Sequence, residues 1–238
     1  MKNLTKLILV AGLTTLSMVA NATLIDSFDR ADTASLGADW TNDTGSCQII
    51  SNQAVCQGVG ASVYNGVTSS NIYADFYHLS ADDGYGALVL GFADSTNSLY
   101  VKLQSQDSIA GFERVGYYFG SNGTGNPLWT ESDFDVFPGT AVTSLRMTLS
   151  LFNTDLQIDF DVDFDGVSDY QVVKSDVPVN LLGSSIGIGG WNNTVGIDNF
   201  SAEVEATDPE ATPAPAPATL ALLFIGLMGI ARSKRIRA

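Results

Sequence analysis

The sequence predicts an all-β fold: an antiparallel jelly-roll β-sandwich, preceded by an N-terminal signal helix and followed by a C-terminal hydrophobic helix. Apolar and polar residues alternate with a period of two again and again between residues 24 and 205, and turn residues recur at short intervals. No apolar stripe of helical period interrupts them. Roughly 180 residues with a dozen or so short strands exceed a seven-strand immunoglobulin-like sandwich and fit one larger jelly roll.

Residues 1–22 read as a signal peptide, with Lys2 and Lys6, the apolar run Leu7–Leu13, and then Ala20-Asn21-Ala22, a small-x-small site for signal peptidase. The apolar run is shorter than the roughly 20 residues that span a bilayer, which favours cleavage before Thr23 over a retained anchor. Export sets an oxidising compartment. Cys47 and Cys56 stand nine apart across a strand, a turn at Ser51-Asn52 and a second strand, so a hairpin disulfide is expected, with free buried thiols as the alternative. The sole histidine, His78, is 22 residues further on in a strand-like run, and two cysteines with no histidine nearby cannot complete a tetrahedral zinc site.

Strand character continues beyond the hairpin. Ile72, Ala74, Phe76 and His78 alternate with Tyr73, Asp75 and Tyr77, whereas Ala87 to Phe92 is nearly continuous apolar sequence, as in a central strand covered on both faces. Leu145, Met147, Leu149 and Leu151 alternate with Arg146, Thr148 and Ser150. In the next strand Leu156, Ile158, Phe160 and Val162 oppose Asp155, Gln157, Asp159 and Asp161. No proline-rich break divides 23–205, which is read as one domain. Residues 206–217, Ala-Thr-Asp-Pro-Glu-Ala-Thr-Pro-Ala-Pro-Ala-Pro, are an extended linker.

Between Thr23 and Pro217 there are 5 basic against 26 acidic residues, a net charge of −21. Such a domain repels nucleic-acid phosphates and anionic lipid heads, which excludes nucleic acid as a partner and favours cations and neutral glycans.

The densest chemistry is Asp159-Phe-Asp161-Val-Asp163-Phe-Asp165-Gly166-Val-Ser-Asp169. Strand alternation puts Asp159, Asp161 and Asp163 on one face, and Asp165-Gly166 turns the chain so that Asp169 returns toward them. Asp161, Asp163, Asp165 and Asp169 are candidate ligands for a structural calcium, which takes six to eight oxygens. Position 12 from Asp161 is Val172, where a helix-flanked calcium loop needs a bidentate glutamate, so the site is partial. The competing reading is a hairpin closed by an Asp-Gly type I′ turn, with carboxylates that keep a long strand soluble.

A catalytic reading finds little support. The glutamates, Glu113, Glu131, Glu203, Glu205 and Glu210, are scattered and form no Glu-x-Asp-x-(x)-Glu strand of paired acid and base. His78 alternates with core residues, so it reads as a satisfied core-edge histidine and not as a base for a serine. For sugar contact the candidates are Tyr117, Tyr118, Trp129 and Trp191 with Asn192 and Asn193, each weighed against simple packing.

After the linker, Ala218 to Ala231 is an apolar run of about 14 residues, closed by Arg232-Ser-Lys234-Arg235-Ile-Arg237. The basic cluster stays cytoplasmic and the apolar helix enters the bilayer last, so the chain stalls with its folded domain outside. The length suits a transient inner-membrane intermediate better than a permanent anchor. Residues 214–238, with Ala-Pro-Ala-Pro-Ala-Thr-Leu-Ala-Leu-Leu at 214–223, resemble the PEP-CTERM sorting signal, a Pro-Glu-Pro element, hydrophobic helix and arginine-rich end. Here Pro215 and Pro217 flank Ala216, where that element has glutamate, and Arg232, Lys234 and Arg235 supply the basic end. The resemblance implies cleavage near the prolines by an exosortase, with a place at the cell surface or in extracellular polysaccharide and biofilm matrix.

The opening Asp26-Ser-Phe-Asp-Arg-Ala-Asp-Thr-Ala-Ser-Leu-Gly-Ala-Asp-Trp40 and the closing Gly196-Ile-Asp-Asn-Phe-Ser-Ala-Glu-Val204 resemble the first and last strands of bacterial concanavalin A-like (laminin-G-like) jelly rolls. That resemblance implies paired terminal strands and carbohydrate as the ligand class. The function expected is a non-catalytic exported matrix or surface protein. A secreted carbohydrate-binding module is the alternative, and a divergent glycosidase ranks third.

Overall fold

The computed structural model describes residues 22–43, 45–80, 82–105, 111–120, 130–137 and 142–204. The expected signal helix, the linker and the C-terminal helix with Pro215, Pro217, Arg232, Lys234 and Arg235 lie outside the described residues, as does Trp129.

Two antiparallel sheets form the sandwich, with strands numbered along the chain. Across the first sheet run β13 (Tyr170–Lys174), β12 (Asp155–Asp161), β11 (Ser144–Phe152), β6 (Asn71–His78), β15 (Val195–Glu203), β4 (Gln53–Gln57) and β3 (Ser46–Ile50), and β1 (Ala22–Asp26) also pairs β15. Across the second run β10 (Thr130–Asp135), β9 (Phe112–Phe119), β8 (Asn97–Ser105), β7 (Gly84–Asp94), β14 (Ser185–Trp191), β5 (Ala61–Tyr64) and β2 (Trp40–Asn42). The last two strands fill the middle of both sheets: β14 lies between β7 and β5, and β15 between β6 and β4. Each sheet is therefore complete only when the end of the domain has been added. The first and last strands pair as expected, with Ala22 opposite Glu203 and Leu24 opposite Ser201.

The alternation read from the sequence is what builds the core. Ile72, Ala74 and Phe76 of β6, Leu145, Met147 and Leu149 of β11, and Leu156, Ile158 and Phe160 of β12 are all buried. They meet Leu88, Leu90, Leu99, Val101, Leu103, Ile186 and Ile188 of the opposite sheet in one cluster. Each buried Leu, Ile, Val, Met or Phe among them contributes about 1.5–3 kcal/mol. The other face of β7 joins a second cluster of Ala61, Val63, Tyr85, Ala87, Val89 and Tyr100, which is why residues 87–92 are apolar without alternation.

Asp26 explains the opening motif. Its carboxylate accepts hydrogen bonds from the Phe28 amide at 2.8 Å, both Arg30 Nη atoms at 2.6 and 3.0 Å, and Trp40 Nε1 at 2.9 Å. The indole so held packs against Phe28, Tyr64 and Phe200, which ties the first strand to the last. Cys47 and Cys56 are opposite each other in the β3–β4 register and joined by a disulfide. The turn between these strands has positive φ at both Ser51 (52°) and Asn52 (63°), the type I′ geometry that suits a two-residue hairpin.

Candidate functional site

The acidic segment does not form a two-residue hairpin. Strand β12 ends at Asp161 and β13 begins at Tyr170, so residues 162–169 make an eight-residue loop. Carboxylates take over from the ladder here. Asp161 Oδ2 accepts the Gly166 amide at 2.9 Å and Asp169 Oδ2 accepts the Val162 amide at 2.8 Å, with Phe164 and Gly166 at positive φ. Asp161, Asp163 and Asp169 each place a carboxylate oxygen within 4.8 Å of the others, a cluster of a kind that holds metal ions. Asp165 is not one of this group, and its Oδ1 accepts the Val167 amide at 2.8 Å. Asp161 is only 6% exposed, and its Oδ1 has no hydrogen-bond partner among the described residues. The Asp165 amide pulls the Asp163 carboxyl down, but desolvation and repulsion from Asp165, Asp169 and Asp161 outweigh it and leave that carboxyl raised.

Beside this loop, the outer face of the first sheet carries two rows of side chains aligned across strands. One row is Tyr73, Thr148, Asp159 and Gln171, and the other is Asp75, Arg146 and Asp161. Arg146 forks onto Asp75, with Nε at 2.7 Å and Nη2 at 3.1 Å, and its guanidinium carbon lies 4.9 Å from the Tyr73 ring centroid. Asp75 also accepts Asn199 Nδ2 at 2.9 Å and is almost wholly buried. Asp159 accepts Gln157 Nε2 at 2.6 Å and Gln171 Nε2 at 2.8 Å, and Ser168 Oγ lies 3.2 Å from it and 2.8 Å from the Tyr170 carbonyl. Tyr73, Arg146, Gln157, Asp159, Asp161 and Gln171 line a cavity of about 460 Å³ walled on one side by Gly166, Val167 and Ser168.

The outer face of the second sheet is aromatic. Trp191 ends β14 with 41% of its surface exposed, and its ring lies 6.4 Å from that of Tyr85, tilted by 35°. The Lys102 ammonium stands 4.9 Å from the Tyr85 ring centroid and 4.5 Å from that of Tyr118. Val59, Tyr85, Lys102, Gln104 and Trp191 line a depression of about 270 Å³. Burial pushes the Tyr85 phenol up to about 12, against a smaller opposing pull from the neighbouring Tyr100 hydroxyl, so it is neutral at any physiological pH. The turn after Trp191 uses positive φ at Asn192 and Asn193. There Asn192 Nδ2 donates to the Asp83 carbonyl at 2.7 Å, and the Asn193 amide donates to the Cys56 carbonyl at 3.1 Å.

Of the aromatic residues expected to touch sugar, Trp191 and Tyr118 reach this face, whereas Tyr117 is buried in the inter-sheet core. Tyr85, Lys102 and Gln104 were not singled out by sequence, because a strand apolar on both faces conceals which side chain is beside which. His78 packs edge-on against Phe112 at the core margin, as its alternation predicts. Its Nε2 is buried without a hydrogen-bond partner among the described residues, in place of the satisfied ring expected, and burial lowers its pKa.

Among solved structures the fold resembles a carbohydrate binding module, CBM66, from Bacillus subtilis. The two are 14% identical with a TM-score of 0.51, over 71% of this chain and 98% of the module. The VIP36 exoplasmic/lumenal domain in its Ca2+/Man3GlcNAc-bound form matches at 12% identity and TM-score 0.49, over 82% of this chain and 92% of its own. The GH43 protein BlXynB from Bacillus licheniformis matches at 12% identity and TM-score 0.48, over 74% of this chain and 38% of its own. Among curated proteins none matches. Residues 213–235 match the PEP-CTERM protein-sorting motif, so the chain carries that motif in its C-terminal segment, after a jelly-roll β-sandwich whose fold is similar to that of the carbohydrate binding module.

Proposed function

We propose that this protein is exported, processed by an exosortase near Pro215 and Pro217, and displayed at the cell surface or in the extracellular matrix, where its jelly roll holds polysaccharide without cleaving it. Signal peptidase removes residues 1–22, and the apolar run ahead of Arg232, Lys234 and Arg235 engages the inner membrane only until the second cut. The observation that carries the sugar reading is the Trp191 shelf: a half-exposed indole beside Tyr85, with Lys102 and Gln104 as polar neighbours. A flat ring with adjacent hydrogen-bonding groups suits the apolar face and hydroxyl rim of a pyranose. Asp161, Asp163 and Asp169 hold a structural calcium in this reading, with backbone and water oxygens completing its shell.

Affinity electrophoresis through gels containing the host's exopolysaccharide tests the sugar reading. The secreted protein is expected to be retarded, and Trp191→Ala to bind about tenfold more weakly, as loss of about 1.4 kcal/mol of stacking implies. Migration unaffected by the polysaccharide overturns it. Intact mass of the secreted form tests the sorting reading: the expected species begins at Thr23 and ends near Pro217, and one that keeps residues 232–238 refutes exosortase cleavage.

A further inference from the structure

We propose that the groove over β6, β11, β12 and β13 is a second ligand site, separate from the Trp191 shelf, that takes an uncharged glycan and whose wall is set by a divalent cation in the 162–169 loop. The inference rests on the calcium reading for that wall and on none of the shelf residues.

The groove's own chemistry selects the ligand. Asp159 pins the Gln157 and Gln171 amides, with the Ser168 hydroxyl 3.2 Å from it and 2.8 Å from the Tyr170 carbonyl, which among the described residues leaves both amide carbonyls and one N–H of each glutamine for a ligand. Neighbouring donors and acceptors held in fixed positions match adjacent hydroxyls of a sugar ring. The guanidinium of Arg146 laid over Tyr73 gives that ring a flat floor. Anionic polymers are disfavoured, because Arg146 is already forked onto Asp75 and the groove adds Asp159 and Asp161 to it. A volume of about 460 Å³ falls in the range of small-ligand sites.

The loop couples cation to groove. Gly166, Val167 and Ser168 form the wall, and Gly166 is hydrogen-bonded to Asp161, one of the three clustered carboxylates. Asp161 is the independent sign of a ligand there: a carboxylate 94% buried, with Oδ1 unpartnered among the described residues, set among two more carboxylates. A buried charge in that position is stabilised by a cation and costly without one. Binding of the ion fixes residues 162–169, and with them the Ser168 end of the Asp159 network.

The full secreted chain is titrated with calcium chloride alone by calorimetry and then run through gels containing dextran, levan or mannan, with calcium or with EDTA. Trp191→Ala silences the shelf. In that background, retardation by at least one of the three polymers is expected in calcium, at least fivefold weaker in EDTA, and lost in Gln157→Ala/Gln171→Ala with an unchanged melting temperature. Asp163→Asn is expected to remove the calcium heat and to reproduce the EDTA result. Calcium heat with no retardation of Trp191→Ala by any polymer, or with retardation indifferent to Gln157 and Gln171, overturns the groove and leaves the cation reading intact. Absence of calcium heat defeats the cation reading and the coupling with it. Full retardation of Trp191→Ala, abolished by the double glutamine change, upholds the groove and defeats the shelf.

Discussion

Replacing Arg146 with Met leaves the Asp75 carboxylate inside the protein with one hydrogen bond. The Asp75 side chain is 4% exposed and that of Arg146 32%, and the two bonds between them are 2.7 and 3.1 Å long. Removing one member of a buried pair costs about 3–5 kcal/mol. The Asn199 amide remains on Asp75 and the arginine is partly solvated, so the lower end, about 3 kcal/mol, is expected. With a urea m-value of about 2 kcal/mol/M, the midpoint falls by about 1.5 M. Asp75→Asn strands only a guanidinium that can reach water, and about 1–2 kcal/mol is expected. The double variant, in which no charge remains unpaired, should be no less stable than Arg146→Met alone, which gives a coupling of about 1–2 kcal/mol. Urea unfolding followed by tryptophan fluorescence reads all four proteins. Single-variant losses that add to within about 0.5 kcal/mol in the double variant would falsify the claim that Arg146 exists to neutralise Asp75.

Three further outcomes are expected. The disulfide closes a loop of about ten residues, for which chain entropy assigns about 2.7 kcal/mol, so Cys47→Ala/Cys56→Ala should lose about that much in urea unfolding; no loss contradicts the assignment. A Cβ at Gly189 would run into the Tyr100 hydroxyl, which donates to the Gly60 carbonyl at 2.9 Å, so Gly189→Ala should cost about 1–3 kcal/mol, whereas Gly66→Ala meets no atom among the described residues and is limited to backbone strain; equal melting-temperature losses at the two positions refute this. Burial, aided by repulsion from Asp29, Asp75 and Asp26, raises the Asp198 carboxyl, and the Asn199 amide only partly offsets it. A carboxyl raised in the folded state contributes stability that is present below its unfolded value near 4 and is lost as pH climbs through the folded value. Wild type should therefore lose more melting temperature than Asp198→Asn between pH 4 and pH 6.5, and parallel curves would rule that out.

Which residues face inward was legible wherever one strand face is dry and the other polar. Leu145 to Leu151 and Leu156 to Phe160 are arranged as period-two reading requires, since a one-residue slip would expose every apolar member at once. The same reading is silent about register, and register makes the groove. Tyr73, Thr148, Asp159 and Gln171 come from four strands spread over nearly a hundred positions of chain, and only the pairings of β6, β11, β12 and β13 align them. The shelf was hidden for a related reason. Tyr85 and Lys102 belong to strands that are buried on both faces, so no alternation distinguishes the outward side chains there.

Polarity misleads in the opposite direction at Asp75 and Asp161. Alternation assigns both to the solvent face, and both point away from the core, yet they are 3% and 6% exposed. Asp75 is covered by Arg146 and Asn199, and Asp161 by the loop that follows it, which hydrogen-bonds back onto its Oδ2. The two carboxylates flank Arg146 in a single cross-strand row, but the arginine forks onto only one of them. Asp161 therefore lacks the partner that makes burial of Asp75 tolerable, and the cost of that asymmetry is what a cation among Asp161, Asp163 and Asp169 would relieve. A sheet whose outer face served only solubility would leave its acids in water, where they cost nothing. Here one is buried against an arginine and the next is buried beside two further carboxylates, at the point where the 162–169 loop walls the groove.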